Sequence, residues 1–275
     1  MDKLSIDMNK CTGCGLCEIE CGFNQVISVQ DGKVRYNNSS NCIECLHCFK
    51  ICPNSAINYH GEVQAKIFDS DEQVNAVVTR RSCRNFKQVS IEREVLTNVI
   101  NVANTAPRFD CSFDERKFIV IDDKEKLDGV RSIVLSQIDK VKKFFIILVK
   151  NPFLSKSKKA EYGVIIDLFK NILEKNKKSD ALFHDAPALV MVTGQKTKST
   201  AKENSLYAMS QFLIEAEEQG IGTCINGFVS FFSKAVQKYL GIDNAYSIQC
   251  AVVVGYPGNR FTRHLVRNDT SIQWN

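Results

Sequence analysis

Cys11-Thr-Gly-Cys14-Gly-Leu-Cys17-Glu-Ile-Glu-Cys21 is answered, 31 residues on, by Cys42-Ile-Glu-Cys45-Leu-His-Cys48-Phe-Lys-Ile-Cys52-Pro53. Each block is C-x2-C-x2-C-x3-C, one spacing written twice, the pattern of a pseudo-symmetric module that holds two [4Fe–4S] clusters. Three thiolates at this spacing wrap one face of a cubane from a single loop. The fourth is carried off by a short helical turn and reaches the other cluster. This crossing assigns Cys11, Cys14, Cys17 and Cys52 to one cluster, and Cys42, Cys45, Cys48 and Cys21 to the second. A disulfide framework would suit an oxidising compartment, but Met1-Asp-Lys-Leu begins no secretion signal. Zinc takes pairs of C-x2-C across a longer gap, four ligands per ion, which two interleaved triplets serve poorly.

The doubled spacing, with Pro53 after the last cysteine, resembles the bacterial two-cluster ferredoxins over residues 1–62. Gly22 stands where that pattern has a second proline. His47 lies between two ligands of a complete set and reads as a loop residue that tunes potential through hydrogen bonding. Leu4 to Met8 and Ile57 to Tyr59 read as short strands, and Asp31-Gly32 as a turn between two more. So small an α+β unit has little apolar material, and the clusters themselves act as its staples.

The chain has 275 residues, which leaves room beyond residue 62 for one full second domain. Hydrophobic residues make up 44% and charged residues 24%, ordinary globular values that call for no disordered segment. The longest apolar run, Phe144 to Val149, is far shorter than the roughly 20 residues of a membrane span. The formal net charge of +5 is largely offset once two clusters with their thiolates each add about −2. Lysine runs such as Lys142-Lys143, Lys156-Ser-Lys158-Lys159 and Lys175-Asn-Lys177-Lys178 then read as solvated helix faces, and no motif supports a nucleic-acid role. The expected division is a cluster domain at 1–62, a linker at 63–70 and a second domain at 71–275, in an oxygen-poor cytoplasm.

In the second domain, Arg80-Arg81-Ser82-Cys83-Arg84 follows a short helix that starts near Asp71. Guanidinium groups beside a hydroxyl match phosphate oxygens, although arginines at a helix end also serve as solvated or capping groups. Ser90 can cap a helix with Val95, Leu96, Val99, Ile100 and Ala103 on one face. A turn at Ala106-Pro107 and a strand over Lys117–Asp122 come next.

These residues resemble the FMN-dependent nitroreductase family, in which an Arg-Arg-Ser-x-Arg segment leads to a helix, an Ala-Pro turn and a strand. Asp185–Thr193 is similar to the family's next strand, Asn204–Gln219 to its central helix with Gly220 at the stop, and Gly220–Phe228 to its flavin-facing turn. The strand Ile248–Val254 runs into Gly255-Tyr256-Pro257. The resemblance covers residues 70–267 and implies an α+β fold, a central mostly antiparallel sheet wrapped by helices. It also implies FMN, with Arg80, Arg81, Ser82, Arg84 and Arg260 or Arg263 at the phosphate and Gly222 at the binding turn. The backbone N–H of Gly227 would face flavin N5, with Asn226 beside it where many relatives carry an acid. The Gly220-x-Gly222 pair follows a helix and lacks a third glycine, which excludes a dinucleotide fingerprint. The segment Arg108–Arg116 lacks the family's Asn-x-Gln type contact and places Cys111 near the site. The alternative for Cys111, as for Cys83, Cys224 and Cys250, is a small buried hydrophobe.

Together the two halves imply an iron–sulfur flavoprotein oxidoreductase, a homodimer with shared FMN sites. Electrons would come from a ferredoxin, flavodoxin or reduced nicotinamide donor and leave on a small electrophile such as a nitroaromatic, quinone or activated alkene. An electron carrier or redox sensor with a degenerate flavin pocket is the alternative, as is an oxidative flavin dehydrogenase that exports electrons through the clusters.

Overall fold

A computed structural model of the chain describes all residues except 1–3, 22–25, 38–41, 61–64, 70–74, 109–115, 268–270 and 275, with the backbone alone at 65–69 and 264–267. It divides into two compact units, Met1–Arg80 with Gly258–Asn275, and Arg81–Pro257.

The first unit begins with β1 (Leu4–Ile6), α1 (Leu16–Cys21), β2 (Ile27–Gln30), β3 (Lys33–Tyr36), α2 (His47–Ile51), β4 (Ile57–Tyr59), β5 (Ala65–Asp69) and α3 (Ala76–Thr79). Strands β1 and β4 pair antiparallel, Leu4 opposite Tyr59. The β2–β3 hairpin turns at Asp31 and Gly32, with φ of 52° and 69°. Two left-handed residues in succession match the right-handed twist of the strands, which is why Asp-Gly makes this turn. The small core joins Leu4, Ile27, Val34, Leu46, Ile51 and Ile57 to Cys17 and Cys48.

The second unit holds α4 (Arg93–Ala103), β6 (Arg116–Ile121), α5 (Lys124–Val149), α6 (Lys156–Lys175), β7 (Ala188–Gln195), α7 (Ala201–Glu218), β8 (Gly222–Ile225), α8 (Gly227–Phe231), α9 (Ser233–Leu240) and β9 (Tyr246–Gly255). Its sheet has the order β6-β7-β9-β8, antiparallel throughout. Residues 188–194 of β7 are all buried. A strand covered on both faces reads as a continuous apolar run rather than an alternation. On the sheet, Met209, Phe212, Leu213 and Ala216 of α7 pack with Val190, Val192, Val252 and Val254 and with Val99 and Ala103 of α4.

Helix ends follow local chemistry. Gly220, at φ 70°, closes α7, with Gly220 N–H donating to Glu217 O and Ile221 N–H to Ala216 O. This paired arrangement needs a left-handed residue at its corner, and glycine accepts that conformation without strain. Asp123 and Ser155 cap α5 and α6. Ser90 does not cap α4, whose N-terminal flank is Glu92 without a side-chain cap. There Arg93 pairs with Asp122 at 2.7 Å. Buried Arg116 holds the other end of α4, donating to the carbonyls of Asn104, Ala106 and Asn204. The first two lysine runs lie on helix surfaces, where Lys142 and Lys143 pair with Asp139 and Lys158 with Glu161, and the third runs past the end of α6 into a turn.

The chain then returns. β10 (Arg263–Arg267) pairs antiparallel with β5, Arg263 opposite Asp69. Residues 63–70, expected as a bare linker, thus carry a strand, and residues 258–275, expected with the second domain, are counted with the first unit. Strand pairing between segments almost 200 positions apart leaves no trace in local sequence pattern. Among the described residues no helix is long and apolar enough to cross a membrane.

Candidate redox sites

In the first unit, the two cysteine loops share a backbone device. Gly13 and Gly15 have φ of 69° and 78°, and Glu44 and Leu46, at the same steps of the second block, have 52° and 60°. Left-handed residues in alternation turn successive N–H groups toward one side, a concavity suited to an anionic centre. In the first loop glycine is obligatory, since a Cβ on Gly13 would lie 2.1 Å from Gly32 O.

The eight cysteines divide four and four. One cavity is lined by Cys11, Cys14, Cys17 and Cys52. A second is lined by Cys21, Cys42, Cys45 and Cys48. This partition is the one the crossing rule assigns. The fourth cysteine of each block leaves its own loop because α1 and α2, which start one residue before the third cysteine, place Cys21 at the end of α1 and Cys52 just past the end of α2. Three of the thiols, Cys17, Cys21 and Cys48, are poor acids without a metal. Burial, with Cys14 and Cys52 adding repulsion, pushes Cys17 up to about 12. Burial likewise raises Cys21 and Cys48, beside the other thiols of their set. Buried thiols such as Cys17 and Cys48 become thiolates only with a cation beside them, so the donor chemistry fits iron binding with proton release. Among the described residues no group of three His, Cys, Asp or Glu is placed to hold a metal ion. The N–H of Ala56 donates to Cys52 Sγ at 3.2 Å, a contact of the kind that tunes cluster potential. His47 is not in a loop. It opens α2, buried, 3.5 Å from the buried carboxylate of Glu20 and edge-on to Phe261.

In the second unit, residues 82–87 lie across one end of the sheet. Ser82 bridges Thr223, Cys83 N–H donates to Thr223 O at 2.8 Å, and Lys87 N–H to Tyr256 O. This lays Ser82 and Arg84 beside the expected flavin turn. Arg80 ends the first unit and Arg81 begins the second. Gly222 has a packing reason to be glycine, since a Cβ there would meet Cys83 Cβ at 2.9 Å and Pro257 Cγ at 3.0 Å. Gly227 is different. It is not left-handed, and a Cβ there would meet nothing within 4 Å. Glycine with open space before it suits the close approach of a ligand to backbone.

The side chain of Asn226 is already committed. Its Oδ1 accepts from Val229 N–H at 3.1 Å and caps α8, and its Nδ2 donates to Leu182 O at 2.8 Å. The residue is buried, so it builds the turn and carries the adjoining 180–187 loop. Sequence reading missed that loop. Asp180 binds it together, accepting from the N–H groups of Leu182 and Phe183 and from Arg131, and its consecutive residues His184 and Asp185 have φ of 57° and 55°. Burial, with Arg84 next in effect, lowers His184 to about 4. Arg84, His184, Asn226 and Gly227 therefore border one region of this unit.

Arg260 is exposed. Arg263, expected at a phosphate, lies in the first unit and donates to Phe49 O and Cys52 O. Cys83, Cys224 and Cys250 are buried. Cys111 and most of the unusual Arg108–Arg116 segment fall outside the described residues.

Residues 77–256 match the model of the Nitroreductase family. The chain belongs to the Nitroreductase family. Residues 3–53 match the 4Fe-4S dicluster domain. An iodotyrosine deiodinase of Thermotoga neapolitana is 24% identical over 198 residues, 71% of this chain and 94% of that protein. An uncharacterised protein of Methanocaldococcus jannaschii, MJ0749, is 33% identical over 57 residues, 21% of each chain; the chain thus spans about a fifth of that relative. Among solved structures, a nitroreductase with bound FMN from Desulfitobacterium hafniense aligns at a TM-score of 0.53 and 18% identity, over 73% of this chain and 96% of that one. Another from Bacteroides fragilis aligns at 0.52 and 18%, over 71% and 95%. These likenesses establish the nitroreductase-like α+β fold behind an N-terminal cluster domain.

Proposed function

We propose that the protein is an iron–sulfur flavoprotein oxidoreductase in which two [4Fe–4S] clusters supply electrons to FMN and thence to a small organic acceptor. The observation that carries this reading is the division of eight cysteines around two cavities, four and four, in a chain whose other unit is of the Nitroreductase family. When bound, FMN takes electrons singly and delivers them as a pair, which couples cluster chemistry to reduction of a nitroaromatic, quinone or activated alkene.

The chain's own residues do the rest. Cys11, Cys14, Cys17 and Cys52 hold one cluster, and Cys21, Cys42, Cys45 and Cys48 the other. Arg81, Ser82 and Arg84 of the second unit would meet the flavin phosphate, where bidentate guanidinium geometry matches the oxygens. The N–H of Gly227 is presented to the flavin's redox edge by a turn that Asn226 locks. The FMN bound by the Desulfitobacterium and Bacteroides proteins named above supports the choice of flavin. Two chains assemble as a homodimer that shares its FMN sites, as the family resemblance implies.

Anaerobic purification followed by assay of iron, acid-labile sulfide and acid-released FMN tests this. About eight irons and one flavin per chain are expected. Turnover with a one-electron donor then collapses on replacing Cys14 or Cys45. The same iron without flavin, even after excess FMN, would make the protein an electron carrier or sensor. Unchanged turnover with a reduced nicotinamide in the cysteine variants would remove the clusters from the route.

A further inference from the structure

Helix α2 has only five residues, and it carries Cys48 while its cap is Cys52, ligands of different cavities. A helix so short leaves its last carbonyls without intrahelical partners. The chain supplies those partners from more than 200 positions away. Thr262 donates to Lys50 O through both its N–H, at 3.2 Å, and its Oγ1, at 3.0 Å. Arg263 Nη2 donates to Phe49 O at 2.5 Å and to Cys52 O at 3.4 Å, and its guanidinium lies 4.1 Å over the Phe49 ring. Phe261 rests edge-on against His47, with Lys50 Nζ 5.8 Å from its ring centre. Pairing of β10 with β5 anchors this strap from the other side.

We propose that Arg263 is a positioning residue of the cluster module: it fastens the end of α2 between the two ligand sets, and its fixed charge raises the reduction potential of the clusters. The inference rests on the two-cluster reading above and gives Arg263 a different task from the flavin phosphate. The physical reasons are two. A cation at a helix C-terminus complements the dipole and satisfies the carbonyls. Reduction adds a negative charge to a cluster, and a guanidinium bound to the backbone of residues 49–52 favours the reduced form, as contacts and charge near the sulfurs do generally. Arginine suits the task because one planar fork reaches two carbonyls and an aromatic face together.

The test uses the full chain, purified anaerobically, as wild type, Arg263→Gln and Arg263→Lys. Iron, sulfide and FMN are counted, and cluster reduction is followed by electron paramagnetic resonance against applied potential. We expect the glutamine variant to keep its iron and FMN but to show a roughly tenfold lower ratio of reduced to oxidised cluster at fixed potential. That is a downward shift of about 59 mV for one electron. The lysine variant stays within about twofold of wild type. Iron loss in the glutamine variant alone, rescued by lysine, also supports the proposal. A glutamine variant that titrates with wild type overturns it, as does loss of FMN with unmoved clusters, or equal iron loss in both variants. Iron-free wild type would sink the two-cluster reading itself, whereas iron-replete wild type with an unmoved variant sinks only the role of Arg263.

Discussion

Glu44 occupies, at φ 52°, the step of the second cysteine loop that Gly13 occupies, at φ 69°, in the first. The two loops trace the same left-handed path with different residues. The left-handed region costs a non-glycine residue about 1–2 kcal/mol, and Glu44 recovers part of this through Tyr59, whose hydroxyl donates to its Oε2 at 2.9 Å. Gly13 has no such latitude, because Gly32 O fills the place of a Cβ. Gly13→Ala should therefore lose the cluster of Cys11, Cys14, Cys17 and Cys52, with iron falling to about four per chain. Glu44→Gly should keep its iron and change stability by less than about 1 kcal/mol, relief of strain offsetting the lost hydrogen bond. Iron analysis beside a urea titration checks both.

The crossing of Cys21 and Cys52 predicts a pattern of additivity. Changes within one ligand set disable the same cluster, whereas changes in different sets disable both. Cys14→Ser combined with Cys52→Ser should cost no more iron than Cys14→Ser alone. Cys45→Ser combined with Cys52→Ser should leave almost none. The reverse result would assign Cys52 to the set of its own block.

Three glycines of the second unit separate packing from ligand approach. Gly222 and Gly255 are crowded, the latter with Pro187 Cδ 2.6 Å and Phe86 Cδ1 2.8 Å from a built Cβ. Replacement of either by alanine should destabilise the unit by about 1–3 kcal/mol, the usual cost of overpacking. Gly227→Ala meets no protein atom and should leave thermal stability unchanged or slightly raised. It should nonetheless weaken FMN binding at least tenfold if the flavin lies against that backbone. Fluorescence titration with FMN beside thermal melts of the three variants decides the matter. Wild-type affinity in Gly227→Ala would place the flavin elsewhere.

The cluster module was legible because ligand spacing is covalent information. Eight cysteines at fixed intervals determine which sulfurs can meet, and Asp31-Gly32 names its own turn. In the second unit the strand at Lys117–Asp122 was legible from its own apolar run, whereas the next strand and the central helix, with Gly220 at its end, were legible through the family resemblance. What stayed hidden depends on distant segments. The pairing of β5 with β10, and Arg263 on the backbone of α2, join positions with no local pattern in common. Asn226 looked like a flavin neighbour by its place in a motif, yet its amide serves Leu182 and Val229, a choice that only the folded 180–187 loop makes visible. Ser90 had the right chemistry for a cap, but α4 begins beyond its reach.

His184 gives the second unit a pH dependence. Its imidazole faces Arg84 and Lys175, which disfavour a second positive charge, and Asp180, which favours it, and burial outweighs them all. The ring is held at about 4 in the folded protein against 6.5 unfolded, so between these values the unfolded chain binds more protons. Stability from this group is then complete above about pH 6.5 and is lost as pH falls toward 4, by about 3 kcal/mol at most. Asp185, raised mainly by burial and then by Asp180, acts in the opposite sense. Amide exchange of residues 188–195, corrected for its intrinsic pH dependence, should show protection falling from pH 6.5 to 4.5 in the wild type. In His184→Gln that slope should flatten. An unchanged slope in the variant would mean that other groups carry the acid sensitivity of this unit.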